Sequence, residues 1–105
     1  MSKAGVKEYH AAVIDTTGHI SFHSQDGKFS LKQLQEFVKG YIERVDVRVA
    51  GKNYEMFVNE EGLLHGLQYN PKATAQYWVK KGIKHAPHIV GTAVVLSRDH
   101  LEGKL

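Results

Sequence analysis

The sequence predicts an α+β fold: one small domain, with two helices on a mixed or antiparallel sheet, in the order ββαββ(β)αβ. Three observations carry this. Capped stretches with helical spacing occur at Leu31–Lys39 and Pro71–Lys81. Apolar and polar residues alternate with a period of two over His19–Ser24 and Val45–Val49. Ile89–Leu96 is nearly all apolar, as a strand buried on both faces must be. At 105 residues the chain is long enough for one core but not a second. Residues 1–7 and 98–105 read as flexible tails.

Glu8–Ile14 and His19–Ser24 form a strand pair around the turn Asp15-Thr16-Thr17-Gly18. In the second strand Ile20 and Phe22 face one side. His19, Ser21 and His23 face the other, which is the expected wet face. Gln25-Asp26-Gly27-Lys28 is a loop.

Ser30 starts the first helix. Ser30 with Gln33 makes a capping box, and Phe29 with Leu34 a hydrophobic staple. Leu31, Leu34, Phe37, Val38 and Tyr41 follow at helical spacing, and Gly40 weakens the end. Val45–Val49 is a half-buried strand. Gly51-Lys52-Asn53 turns the chain into a strand over Tyr54–Asn59.

Asn59-Glu60-Glu61-Gly62 is a turn, since Gly62 can take a positive φ. Leu63-Leu64 reads as a short strand that Gly66 breaks. Asn70 caps the second helix and Pro71 opens it; Gly82 ends it. Thr74, Tyr77, Trp78 and Lys81 make one stripe of that helix. Ala73 and Ala75 suit a close approach to the sheet. Gly91 inside the last strand marks a bulge or a close contact.

The charge map says more than the net +3. Residues 1–61 carry eight Lys/Arg and nine Asp/Glu, whereas residues 62–98 carry five Lys/Arg and no acid. Such asymmetry points to an anionic partner for the second half. The plainer reading is a solvated lysine face. The chain has no cysteine, which excludes disulfides, thiol nucleophiles and Cys-based zinc sites, and suits a reducing cytoplasm. No apolar run approaches the ~20 residues of a membrane span, and the N-terminus lacks the apolar centre of a secretory signal.

Few constellations carry chemistry. His85 and His88 are spaced to share a metal, but no acid lies near them, and solvent-facing histidines are the simpler reading. No metal or cofactor is expected. Glu60 and Glu61 sit in a turn, where their carboxylates diverge into water; no catalytic residue is expected. There is no G-x-S-x-G elbow and no glycine-rich phosphate loop. The remaining candidate is the second helix with its entry and exit: Tyr69, Lys72, Tyr77, Trp78, Lys80, Lys81, Lys84, His85 and His88. Basic groups among aromatics suit phosphate contact with base stacking. Tyr77 and Trp78 at helical spacing are more often core residues; a protein interface is the alternative.

Three stretches carry a resemblance: Leu34–Glu43, Asn59–Thr74 and Ile89–Leu96. Gly40-Tyr41-Ile42-Glu43, the turn from Asn59 to Gly62, and the helix start at Asn70-Pro71 stand out in them. In this order they resemble a small, functionally uncharacterised family common in phages, plasmids and other mobile elements. The family offers no established chemistry to carry over.

The reading is a cytoplasmic, non-enzymatic binding protein. The leading expectation is an accessory factor of mobile-element type that binds a nucleic acid or nucleotide through residues 69–88. The second is a protein-binding inhibitor or modulator of a host system, such as a defence complex. The third is a small hydrolase.

Overall fold

The computed structural model describes residues 8–81 and 88–103, with side chains up to Tyr77 and again from His88. Among the described residues, five strands and two helices follow one another. They are β1 (Tyr9–Ile14), β2 (Ile20–Gln25), α1 (Leu31–Val38), β3 (Ile42–Val49), β4 (Lys52–Asn59), α2 (Pro71–Lys81) and β5 (Ala93–Leu96), before a 3₁₀ turn at Arg98–His100. These strands pair antiparallel, in the spatial order β2-β1-β5-β4-β3.

Local chemistry accounts for most elements. Both halves of the capping box form: Ser30 Oγ accepts from the Gln33 amide at 3.2 Å, and Gln33 Oε1 accepts from the Ser30 amide at 3.1 Å. α1 stops one residue earlier than expected, because Lys39 turns left-handed at φ 61°. Asp15 builds the first hairpin. Its carboxylate accepts from the Thr17 hydroxyl at 2.6 Å and from the amides of Thr17 and His19. Between β3 and β4 the turn is Ala50-Gly51, both with positive φ, the pairing a two-residue hairpin favours.

The sheet carries one helix on each face and splits the core into two layers. On the α1 side, Leu34 and Val38 of the helix pack with Ala11, Phe57, Val94 and Leu96. On the α2 side, Ala73 packs with Ile14, Val47, Met56, Val58 and Val95. β5 is central and supplies alternate residues to each layer, as its apolar sequence requires.

Several boundaries move. β3 begins at Ile42 and β4 at Lys52, earlier than their alternation shows, because the pairing runs on through polar residues. β5 begins only at Ala93, since Gly91 takes φ +76°. Leu63-Leu64 is not a strand but part of a helix-like turn: His65 donates to the Glu61 carbonyl, Gly66 to Leu63, and Leu67 to Gly62. The expected wet face of β2 is also altered. His23 is half-buried against Phe37, with ring centroids 5.0 Å apart, whereas Phe22 is 81% exposed on the opposite face. On α2, Ala73 is buried but Ala75 is exposed. Residues 100–102, within the expected C-terminal tail, are docked against Phe29. Leu101 is buried and bridges Phe29, whose amide donates to the His100 carbonyl and whose carbonyl accepts from Glu102. The expected cap at Gly82 lies outside the described residues.

Candidate functional site

Three distant stretches of sequence meet at one end of the sheet. α1 ends there, leaving its last carbonyls without partners inside the helix. Asn59, buried at the end of β4, donates through Nδ2 to the carbonyls of Val38 at 3.2 Å and Lys39 at 3.3 Å. Its Oδ1 accepts from the Glu61 amide at 2.8 Å and so starts the next turn. This close approach requires Gly40: a Cβ there would lie 2.6 Å from Asn59 Nδ2. Gly62 has a similar constraint, since its Cβ would lie 2.7 Å from Val90 Cγ2.

Asn70 closes the other side. It accepts from the Ala73 amide as a helix cap, and donates to the carbonyls of Ile14 and Gly91 at 3.0 and 2.8 Å. Thr74 Oγ1 adds a bond from the Ile89 amide at 2.8 Å. Gly40, Asn59, Gly62, Asn70 and Gly91 are therefore framework. They hold the loop 60–69 as a ridge at the end of the sheet.

A cleft lies on each side of that ridge. On the α2 face, a cleft of about 390 Å³ has a floor that includes Val45, Val58, Ile89 and Val90, with Tyr77 and His88 on its wall. Glu43, Glu60 and Glu61 also line it. Glu61 lies 3.5 Å from His65 Nε2; Glu43 and Glu60 enter no ion pair among the described residues. On the ridge, Leu63 and Leu64 are 75% and 78% exposed. The other cleft, of about 460 Å³, is lined by residues that include Thr16, Lys39, Asn59, His65 and Gln68.

The expected site residues separate. Tyr69 is 45% exposed and sits against His88, with ring centroids 4.9 Å apart and planes tilted by 47°. Lys72 is exposed on the first turn of α2. Tyr77 is half-buried and packs against the core layer under α2. Lys80 and Lys81 lie in the last turn of α2, but their side chains and that of Trp78 lie outside the described residues, as do Lys84 and His85 entirely. Arg98 is engaged elsewhere: with Arg44 it clasps Glu55, at 3.1 and 3.0 Å.

Of the carboxylates at the cleft, the sequence singles out Glu60 and Glu61 but not Glu43. Glu60 and Glu61 are exposed, as the turn predicts, and with Glu43 they line the edge of the cleft. A signal for Glu43 does exist. The alternation of Val45, Val47 and Val49 extends back by two residues to Glu43, which pairs with Val58 and so faces the same side. Among the described residues no three His, Cys, Asp or Glu side chains group to hold a metal ion. Nor is any described helix long and apolar enough to cross a membrane.

The family model described as Domain of unknown function (DUF3846) matches residues 8–104. The chain belongs to this family. No curated protein and no solved structure matches it. The DUF3846 match spans all five strands, both helices and the ridge with its two clefts.

Proposed function

We propose that this DUF3846 protein is a non-enzymatic binding module that docks a partner protein on the ridge 60–69 and the cleft beside it. The observation that supports this best is the pair of consecutive, exposed leucines, Leu63 and Leu64, next to an apolar-floored cleft. Such side chains are normal singly, but two together beside a cleft suit an interface. Tyr69 and Tyr41, both exposed near the same end, add the aromatic surface that anchors interfaces. The framework glycines and asparagines keep the ridge rigid, which lowers the ordering cost of binding. An accessory role in a mobile element, acting on a host complex in the cytoplasm, fits this reading.

The test compares tagged wild type with Leu63→Ser/Leu64→Ser in pull-downs from host lysate, with and without nuclease. The expected result is a nuclease-resistant partner that the variant loses while its melt is unchanged. A partner held equally by both proteins rules the ridge out.

A second reading keeps the anionic ligand, nucleic acid or nucleotide, on residues 69–88. The tilted Tyr69–His88 ring pair and exposed Lys72, in a segment without acids, favour it. Phosphate binding weakens steeply with salt, and an apolar interface much less, so a salt series separates the two.

A further inference from the structure

We infer that the cleft on the α2 face receives a basic peptide segment, in which Lys or Arg flanks a large apolar side chain. This rests on the protein-docking reading and names the partner's chemistry. The floor includes Val45, Val58, Ile89 and Val90, so it rewards an apolar anchor. At about 390 Å³ this open cleft has room for one large side chain.

Among the described residues that line the cleft, every Asp, Glu, Lys or Arg is acidic. Glu43, Glu60 and Glu61 line the cleft, and no Lys or Arg does so among the described residues. Two of the three have no ion-pair partner among those residues. Their main chain is anchored: Glu43 pairs with Val58, and the Glu60 amide donates to the Tyr41 carbonyl at 2.8 Å. Exposed carboxylates around an apolar cleft make the local field negative for whatever enters. A phosphate or an acidic peptide would be repelled, and a neutral apolar segment would desolvate carboxylates without compensation. A basic flank removes both costs. The same arrangement steers a cationic partner inward and rejects others, which is what charge at an interface does best.

The probe is a random-sequence peptide library displayed against the intact protein, followed by anisotropy on resynthesised, labelled winners. The expected winners carry Lys or Arg around a large apolar residue. Their affinity should fall roughly tenfold in Glu43→Lys/Glu60→Lys, and also on raising salt. It should fall as well in Leu63→Ser/Leu64→Ser. Both variants change exposed groups, and unchanged melts establish that they fold. Neutral or acidic winners that depend on Leu63 and Leu64 but not on the glutamates would sink the basic partner and leave the docking surface standing. Winners indifferent to both variants, or no winners at all, would remove both. Self-association that the glutamate variant abolishes, seen by analytical ultracentrifugation, would assign the cleft to a second copy instead.

Discussion

Asn59 Nδ2 donates to the Val38 carbonyl at 3.2 Å, so a β4 side chain caps the C-terminal end of α1 across 21 residues of sequence. The same amide reaches Lys39, and its oxygen starts the ridge. Replacing Asn59 by Ala leaves two helix-end carbonyls and the Glu61 amide without these partners. We expect Asn59→Ala to cost about 2–3 kcal/mol in urea unfolding. It should also loosen the ridge, seen as faster amide exchange at residues 60–67. A variant as stable as wild type, with unchanged exchange, contradicts the framework role.

Gly91 and Gly51 offer a matched pair. Both have positive φ, +76° and +80°. A Cβ at Gly51 meets nothing within 4 Å, whereas one at Gly91 lies 2.8 Å from Leu67 Cδ1. Gly51→Ala should cost about 1 kcal/mol from backbone strain alone. Gly91→Ala should cost more, by about 1–2 kcal/mol, because Leu67 must shift as well. Equal losses in parallel denaturation curves would show that Leu67 gives way freely.

Val94 is fully buried and pairs with Val13 on one side and Phe57 on the other. Val94→Asp puts an unpaired carboxylate in the layer under α1. It should cost about 4 kcal/mol or more, and leave little soluble protein. A soluble variant with a cooperative melt would mean the centre of the sheet tolerates charge.

Asp15 makes stability depend on acid. The Thr17 hydroxyl, helped by the amides of His19 and Thr17, holds its carboxyl below the usual 3.8. A lowered folded pKa stabilises the protein above 3.8, and that stabilisation is lost as pH falls through the folded pKa. Wild type should therefore exceed Asp15→Asn in stability near neutrality. The gap should close between about pH 5 and about pH 2. Urea midpoints across that range check it; a gap that stays constant would assign the effect to something other than ionisation.

The lysines of the second reading can be tested without touching the ridge. Lys80→Ala, Lys81→Ala and Lys84→Ala together should shift stability by no more than about 0.5 kcal/mol. If they bind phosphate, removing each such lysine lowers the salt slope of oligonucleotide binding by about one unit. Anisotropy with single- and double-stranded oligonucleotides and with nucleotides reads this directly. Wild type and triple variant binding alike would discard the anionic-ligand reading.

Both helix starts are legible in the sequence, because caps act over three or four residues. Ser30 with Gln33 and Asn70 with Pro71 need no knowledge of the rest of the chain. The all-apolar β5 is legible as a doubly buried strand for a similar reason. What escapes depends on residues far apart. Glu43 faces the cleft only because β3 pairs with β4 beyond the visible alternation. Leu101 is docked only because Phe29 lies beside it. Phe22 is exposed because the face it shares with Ile20 is not closed over it, which no local pattern records. The basic segment is legible as charge, but Arg98 belongs to Glu55 and Tyr77 to the core.

The last strand along the chain occupies the middle of the sheet, and this orders assembly in time. β1–β2 and β3–β4 are hairpins that close through short turns and can form as soon as each is made. In the sheet the two hairpins do not pair with each other; β5 joins them. Until Ala93–Leu96 is available, each half presents an open edge with unbonded amides and carbonyls. Synthesis from the N-terminus makes both hairpins before their common seam, so a chain stalled before Ala93 would hold two open edges prone to pair with neighbours.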